Sequence, residues 1–183
     1  MKQQNVVAYV LRLTVTLLLI CGVVAGVLAG VNAITVDAIA ANQARKTQQA
    51  LQVVLPGVTG LEEVALTGDT GSVTALYASG DNYAVQVAPV GFDGEITMMV
   101  GISGGKVTGI SVISHTETPG LGAVSAADNA KGEAFRGQFV GAEDTLAVNK
   151  DGGTIDALTG ATITSRAVVA GVNAALDYIK TLG

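Results

Sequence analysis

EITMMVGISGGKVTGISVI, residues 95–113, decides the fold. Two runs rich in Ile, Val, Met and Thr flank Ser103-Gly104-Gly105, and such a turn between β-favouring runs reads as a hairpin. The expected strands are Glu95 to Ile102 and Lys106 to Ile113. The second alternates imperfectly between apolar and polar residues, which reads as a strand covered on both faces. Immediately upstream, Val73 to Ala78 and Tyr83 to Ala88 form a second pair around Gly80-Asp81. Downstream, Ala123 to Phe139 is moderately helical, Thr145 to Asp156 is short strand and turn, and a terminal helix starts near Ile163. Ala167, Val168, Ala170, Val172, Ala174, Ala175, Leu176 and Ile179 make it a good helix, with Lys180 near its negative end. Strands in the middle and helices around them predict a compact α+β domain with an antiparallel-rich sheet.

The N-terminus is different. From Leu13 to Val36 the only ionisable side chain is Cys21, and the run is long enough for a membrane helix. It exceeds the usual core of a cleaved signal peptide, despite a passable cleavage site at Val31-Asn32-Ala33. Gly22, Gly26 and Gly30 repeat at the spacing that lets membrane helices approach closely. An Ala- and Gln-rich stretch continues the helix until Leu55-Pro56-Gly57 stops it. The expected organisation is a membrane anchor over 1–36, a juxtamembrane helix over 37–56 and a folded domain over 57–183. Lys2 and Arg12 precede the span, which leans toward a cytoplasmic N-terminus and a domain on the other side of the membrane.

Composition narrows the chemistry. Charged residues are only 14% of the 183, and all fifteen acidic residues follow the apolar run. The resulting acidic domain, with no Trp and no basic patch, does not suit nucleic acid. A single cysteine cannot supply a disulfide within the chain or a four-cysteine iron–sulfur cluster. One histidine, His115, makes neither a metal site nor a nucleophile–base set unaided; loop ordering or a surface position is its expected role. No catalytic residue and no metal ligand set is assigned.

Two segments carry more. DALTGATITS, residues 156–165, places Thr159, Thr162, Thr164 and Ser165 around the start of the terminal helix. Hydroxyls at a helix start accept hydrogen bonds from unpaired N–H groups, and the same N–H groups attract phosphate. Gly160 and Ala161 leave the Thr162 hydroxyl sterically open, although capping alone does not choose among the four; with Thr162 taking a phosphate, Thr164 and Ser165 are the expected caps and phosphate neighbours. HTETPGLG, residues 115–122, is a loop whose Pro119-Gly120 suits a type II turn.

Asp156-Ala-Leu-Thr-Gly-Ala-Thr162 resembles the acceptor motif for covalent flavinylation, and Glu117-Thr-Pro-Gly-Leu-Gly122 resembles the flavin-contacting loop of the same domain. Together they are similar to the covalent FMN-binding domain family shared by the G subunit of the Rnf electron-transport complex and the C subunit of the Na⁺-translocating NADH:quinone oxidoreductase. The short chain is more like the former. The resemblance implies FMN joined by a phosphoester to Thr162 and contacted by Glu117, Thr118, Gly120, Leu121, Gly122, Thr159, Gly160, Ala161, Thr164 and Ser165. Asp156 would be read by a flavin transferase during maturation. It further implies an electron-relaying subunit, not catalytic alone, beside integral-membrane and iron–sulfur subunits of a ferredoxin:NAD oxidoreductase that moves ions. A non-redox scaffold subunit, or a free-standing flavin domain serving an extracellular reductase, are the alternatives.

Overall fold

The computed structural model describes residues 6–182, so the expectation resting on Lys2 lies outside the described residues. Helix α1 runs Val6–Val54. It is long and apolar enough to cross a membrane, and its large apolar side chains from Tyr9 to Ile39 are exposed along the chain. The chain divides into two compact units between Ala44 and Arg45, so the last turns of α1 belong to the folded unit.

That unit is built on an antiparallel meander of five strands in sequence order: β1 (Glu62–Val64), β2 (Val73–Ser79), β3 (Asn82–Val87), β4 (Thr97–Ser103) and β5 (Lys106–Ser114). Both expected hairpins are present, with registers such as Leu76 opposite Val85 and Val100 opposite Ile110. Helix α2 (Ala130–Gly137) and helix α3 (Thr162–Leu182) complete it, together with short 3₁₀ turns at Gly122–Ala126 and Asn149–Asp151. The expected helix over 123–139 is therefore split, because Asn129 starts a new one: its side chain accepts from the Lys131 and Gly132 N–H groups.

Side chains along β4 alternate between two cores, as the two-residue period requires. Met98, Val100 and Ile102 join Val168, Val172 and Leu176 of α3 and Phe135 and Phe139, whereas Met99 joins Ala50, Val54 and Leu55. β4 is the strand most fully buried between them; β5 also meets both, with Val107 and Ile110 in the first core and Ile113 packed against the second, but less completely. The irregular pattern of β5 comes from two breaks in its register with β4, where Thr108 and Ile113 lie between paired positions. The first irregularity has a use: the Thr108 hydroxyl donates to the Val54 carbonyl, one of the acceptors that a helix end leaves unpaired. Gly101 admits the same helix end, since a Cβ there would collide with Val54. On the opposite face Gly171 lets α3 settle against Met98, Pro89 and Val87.

Candidate functional site

Helix α3 opens on Ala161, which has no side-chain acceptor to satisfy the free N–H groups of its first turn. The chain reaches it through a tight corner in which Ala161 N donates to the Leu158 carbonyl and Gly160 takes φ +76°. Thr164 and Ser165 do not cap this helix. They lie within its first turns, fully buried, and their hydroxyls are used elsewhere. Ser165 Oγ donates to the Ala161 carbonyl and accepts from Leu158 N, fastening the corner to the helix. Thr164 Oγ1 donates to Glu117 Oε2 at 2.6 Å.

Glu117 is the brace of the site. It is 4% exposed, and its other oxygen, Oε1, accepts from Phe92 N at 2.7 Å and Asp93 N at 3.3 Å. One carboxylate therefore joins three segments: the loop after β5, the turn before β4 and the start of α3. Its slot exists because two glycines face it, since a Cβ on Gly91 or on Gly122 would collide with a Glu117 oxygen. Beyond it, Leu121 N donates to the Thr118 carbonyl and Gly120 has φ +77°, the value that the third position of a type II turn needs. Half-buried His115 stands at the entrance to this loop, with Nδ1 buried and without a hydrogen-bond partner among the described residues.

These elements enclose a cavity of about 300 Å³, at the small end for ligand sites. Glu117, Thr118, Leu121, Gly122, Gly160, Ala161, Thr162 and Thr164 line it, along with Phe92 and Ile163. Leu121 also borders a second cavity of about 690 Å³, where Gly120, Asp156 and Thr159 lie beside Lys131, Phe135 and Gln138. Ser165 lines neither. Asp156 is fixed in place: Gln138 Oε1 accepts from its N–H, and its Oδ1 accepts from Asn149 Nδ2 at 2.8 Å.

Four contributors were invisible in the sequence. Phe92 and Ile163 remain 66% and 50% exposed at the cavity mouth, apolar side chains without protein cover. Lys150 comes from the 3₁₀ turn Asn149–Asp151, and its Nζ donates to Thr162 Oγ1 at 2.9 Å. Nothing in the spacing of Lys150 and Thr162 marks them as neighbours, because the intervening loop folds back on itself. Arg166, one turn into α3, pairs with Asp151, with Nε to Oδ2 at 2.7 Å and Nη2 to Oδ1 at 2.6 Å. The Arg166 hydrogen bond, with help from the Arg166 charge, holds the Asp151 carboxyl below its ordinary pKa, against a desolvation that acts in the other direction.

The set fits a flavin nucleotide: a hydroxyl beside an ammonium for a phosphate, and exposed Leu121, Phe92 and Ile163 for a flat apolar ring.

Residues 91–177 match the family model of the FMN-binding domain, a span that takes in Glu117, Lys150 and Thr162. The chain is 35% identical over 182 residues to the G subunit of an ion-translocating oxidoreductase complex from Methanosarcina acetivorans, covering 92% of this chain and 94% of that one. The chain belongs to the family of these G subunits. It is also 44% identical over 104 residues to the G subunit of a proton-translocating ferredoxin:NAD(+) oxidoreductase complex from Clostridium ljungdahlii, covering 54% of each chain. The corresponding G subunit of Vibrio cholerae is 46% identical over 98 residues, 51% of this chain and 47% of its own length. Among solved structures, the C subunit of the Na(+)-translocating NADH-quinone reductase of Parabacteroides distasonis superposes with a TM-score of 0.53 at 20% identity. That likeness spans 77% of this chain and 92% of the other, and speaks for the fold.

Proposed function

We propose that this protein is the electron-relaying subunit of an ion-translocating ferredoxin:NAD oxidoreductase, working through FMN joined by a phosphoester to Thr162. The observation that carries the reading is Thr162 itself. It sits at the first position of α3, half-exposed on a cavity, with an ammonium on its hydroxyl, inside a chain whose relatives are G subunits of such complexes. Bound FMN supplies one- and two-electron transfer, which a single cysteine and a single histidine cannot provide.

The chain's own residues hold and shape. Thr162 Oγ1 is the atom that bonds to phosphorus, and Lys150 offsets the phosphate charge. Leu121, Phe92 and Ile163 give the ring an apolar surface, and Glu117 keeps their segments in place. Gly120, Thr159 and Asp156 lie along the adjoining cavity, where Asp156 presents the acceptor segment to a flavin transferase. Helix α1 anchors the protein in the membrane beside integral-membrane and iron–sulfur partners. With the N-terminus cytoplasmic, the folded unit lies on the opposite side, where a covalent bond prevents loss of the cofactor.

Co-expression with a flavin transferase tests the assignment. The wild-type chain should gain about 440 Da, FMN less water, and fluoresce as a band in a denaturing gel. Thr162→Ala should do neither while remaining folded. Retention of covalent flavin by Thr162→Ala would show that the acceptor is another residue.

A further inference from the structure

Residues 147–155 form a closed turn that serves no evident purpose in the core beyond its two buried plugs, Val148 and Ile155. Asn149 N donates to the Ile155 carbonyl, Gly153 N to the Val148 carbonyl and Ile155 N to the Ala147 carbonyl. Two glycines make the closure possible: Gly152 has φ +85°, and a Cβ on Gly153 would collide with the Ala147 backbone. Three consecutive side chains then reach three separate points of the acceptor region. Asn149 holds Asp156, Lys150 holds Thr162, and Asp151 holds Arg166 through two hydrogen bonds. Exposed ion pairs of this kind contribute little to stability, so the consequence of the arrangement is positional.

We infer that the Asn149-Lys150-Asp151 turn is a positioning clamp for flavin attachment, in which Lys150 supplies the positive charge that the transfer to Thr162 requires. The inference rests on Thr162 being the acceptor. A phosphoester does not form usefully from an alcohol and a free phosphate in water, so the donor is a flavin nucleotide activated by a pyrophosphate bond to a nucleoside monophosphate. Thr162 Oγ1 attacks the flavin-side phosphorus and forms the new P–O bond. The anhydride P–O bond breaks, and the nucleoside monophosphate leaves with its electron pair. Lys150 as an ammonium has donors and no acceptor, so it cannot take the hydroxyl proton; that proton passes to a base of the transferase. What the ammonium does is meet the negative charge that gathers on the phosphoryl oxygens next to Oγ1. Asn149 and Asp151 fix the turn at both ends, so the charge is in place before the donor arrives.

The test uses the full-length chain in detergent, a purified flavin transferase and its flavin dinucleotide donor, with the initial rate read from gel fluorescence. Lys150→Met keeps the length of the side chain and removes the charge, and it should slow attachment roughly tenfold to a hundredfold, less than the loss of an enclosed oxyanion donor. Lys150→Arg should recover most of the rate. Raising the salt should slow the wild type more than Lys150→Met, because the lost interaction is an exposed charge. Both variants should melt with the wild type. Equal rates for Lys150→Met and wild type, or Lys150→Arg as slow as Lys150→Met, would overturn the clamp. If the wild type itself takes no flavin on Thr162, it is the assignment of the acceptor that fails.

Discussion

Replacing Glu117 by Ala removes the acceptor for three donors at once. Phe92 N and Thr164 Oγ1 make short bonds of 2.7 and 2.6 Å, and Asp93 N a longer one of 3.3 Å. Hydrogen bonds to a carboxylate contribute about 1.5–3 kcal/mol each, but the two backbone donors are only part-buried and regain some water once the carboxylate is gone. The expected net loss is about 3–4 kcal/mol, which for a unit of this size lowers the melting temperature by roughly 10 °C. Glu117→Gln behaves differently. Its amide oxygen can stay on the two backbone N–H groups while its NH₂ group faces Thr164, whose hydroxyl rotates to accept. The expected cost falls to about 1 kcal/mol. Three of the four tyrosines, Tyr77, Tyr83 and Tyr178, lie in the folded unit, so near-ultraviolet circular dichroism of the detergent-solubilised chain follows its unfolding. Amide exchange at Phe92 and Asp93 gives a local reading, and it should accelerate in Glu117→Ala. A Glu117→Ala protein melting within about 2 °C of wild type, or Gln as damaging as Ala, would refute the view of Glu117 as the joint of the site.

Two further perturbations follow from the packing and the electrostatics. Gly171→Ala places a Cβ against Met98 and within 2.9 Å of Pro89 Cγ, so α3 must lift or Met98 must move; thermal unfolding should report a loss of about 1–3 kcal/mol. Arg166→Gln removes the principal cause of the lowered Asp151 pKa, so the Asp151 carboxyl resonance should titrate at a higher pH than in the wild type. The sign follows from linkage: a depressed carboxyl favours the folded state above its unfolded pKa, and that contribution disappears as the pH falls through the folded value. An Asp151 titration unmoved by Arg166→Gln would show that the pair is not formed in solution.

The hairpins, the terminal helix and the stop at Leu55-Pro56-Gly57 were legible because each has a local signal: β-rich runs around a glycine turn, a helical apolar stripe, a breaker. The burial of β4 on both faces was not, because it depends on which helix covers the sheet, and α1 returns to it from about 45 residues upstream of Met99. The register breaks in β5 disguised it further, since an unpaired residue in an edge strand breaks alternation as a second covered face does. At the site, the segments 115–122 and 156–165 were readable from composition and motif. The motif makes Glu117 a flavin or loop contact, and the structure uses both its oxygens within the protein. Phe92 and Lys150 left no trace, since a single phenylalanine after a glycine and a single lysine in a turn are ordinary surface residues until the chain brings them to Thr162.

The end of α1 has a practical bearing on how this protein can be divided. Ala50, Val54 and Leu55 close the second core over Ala84 and Met99, and Val54 fills the gap opposite Gly101. A fragment begun after the proline at 56 would bare Met99 and Ala84 to water and leave the Thr108 hydroxyl without its carbonyl. The last turns of the helix are therefore core rather than linker, and the folded unit begins inside it, at about the turn that carries Arg45.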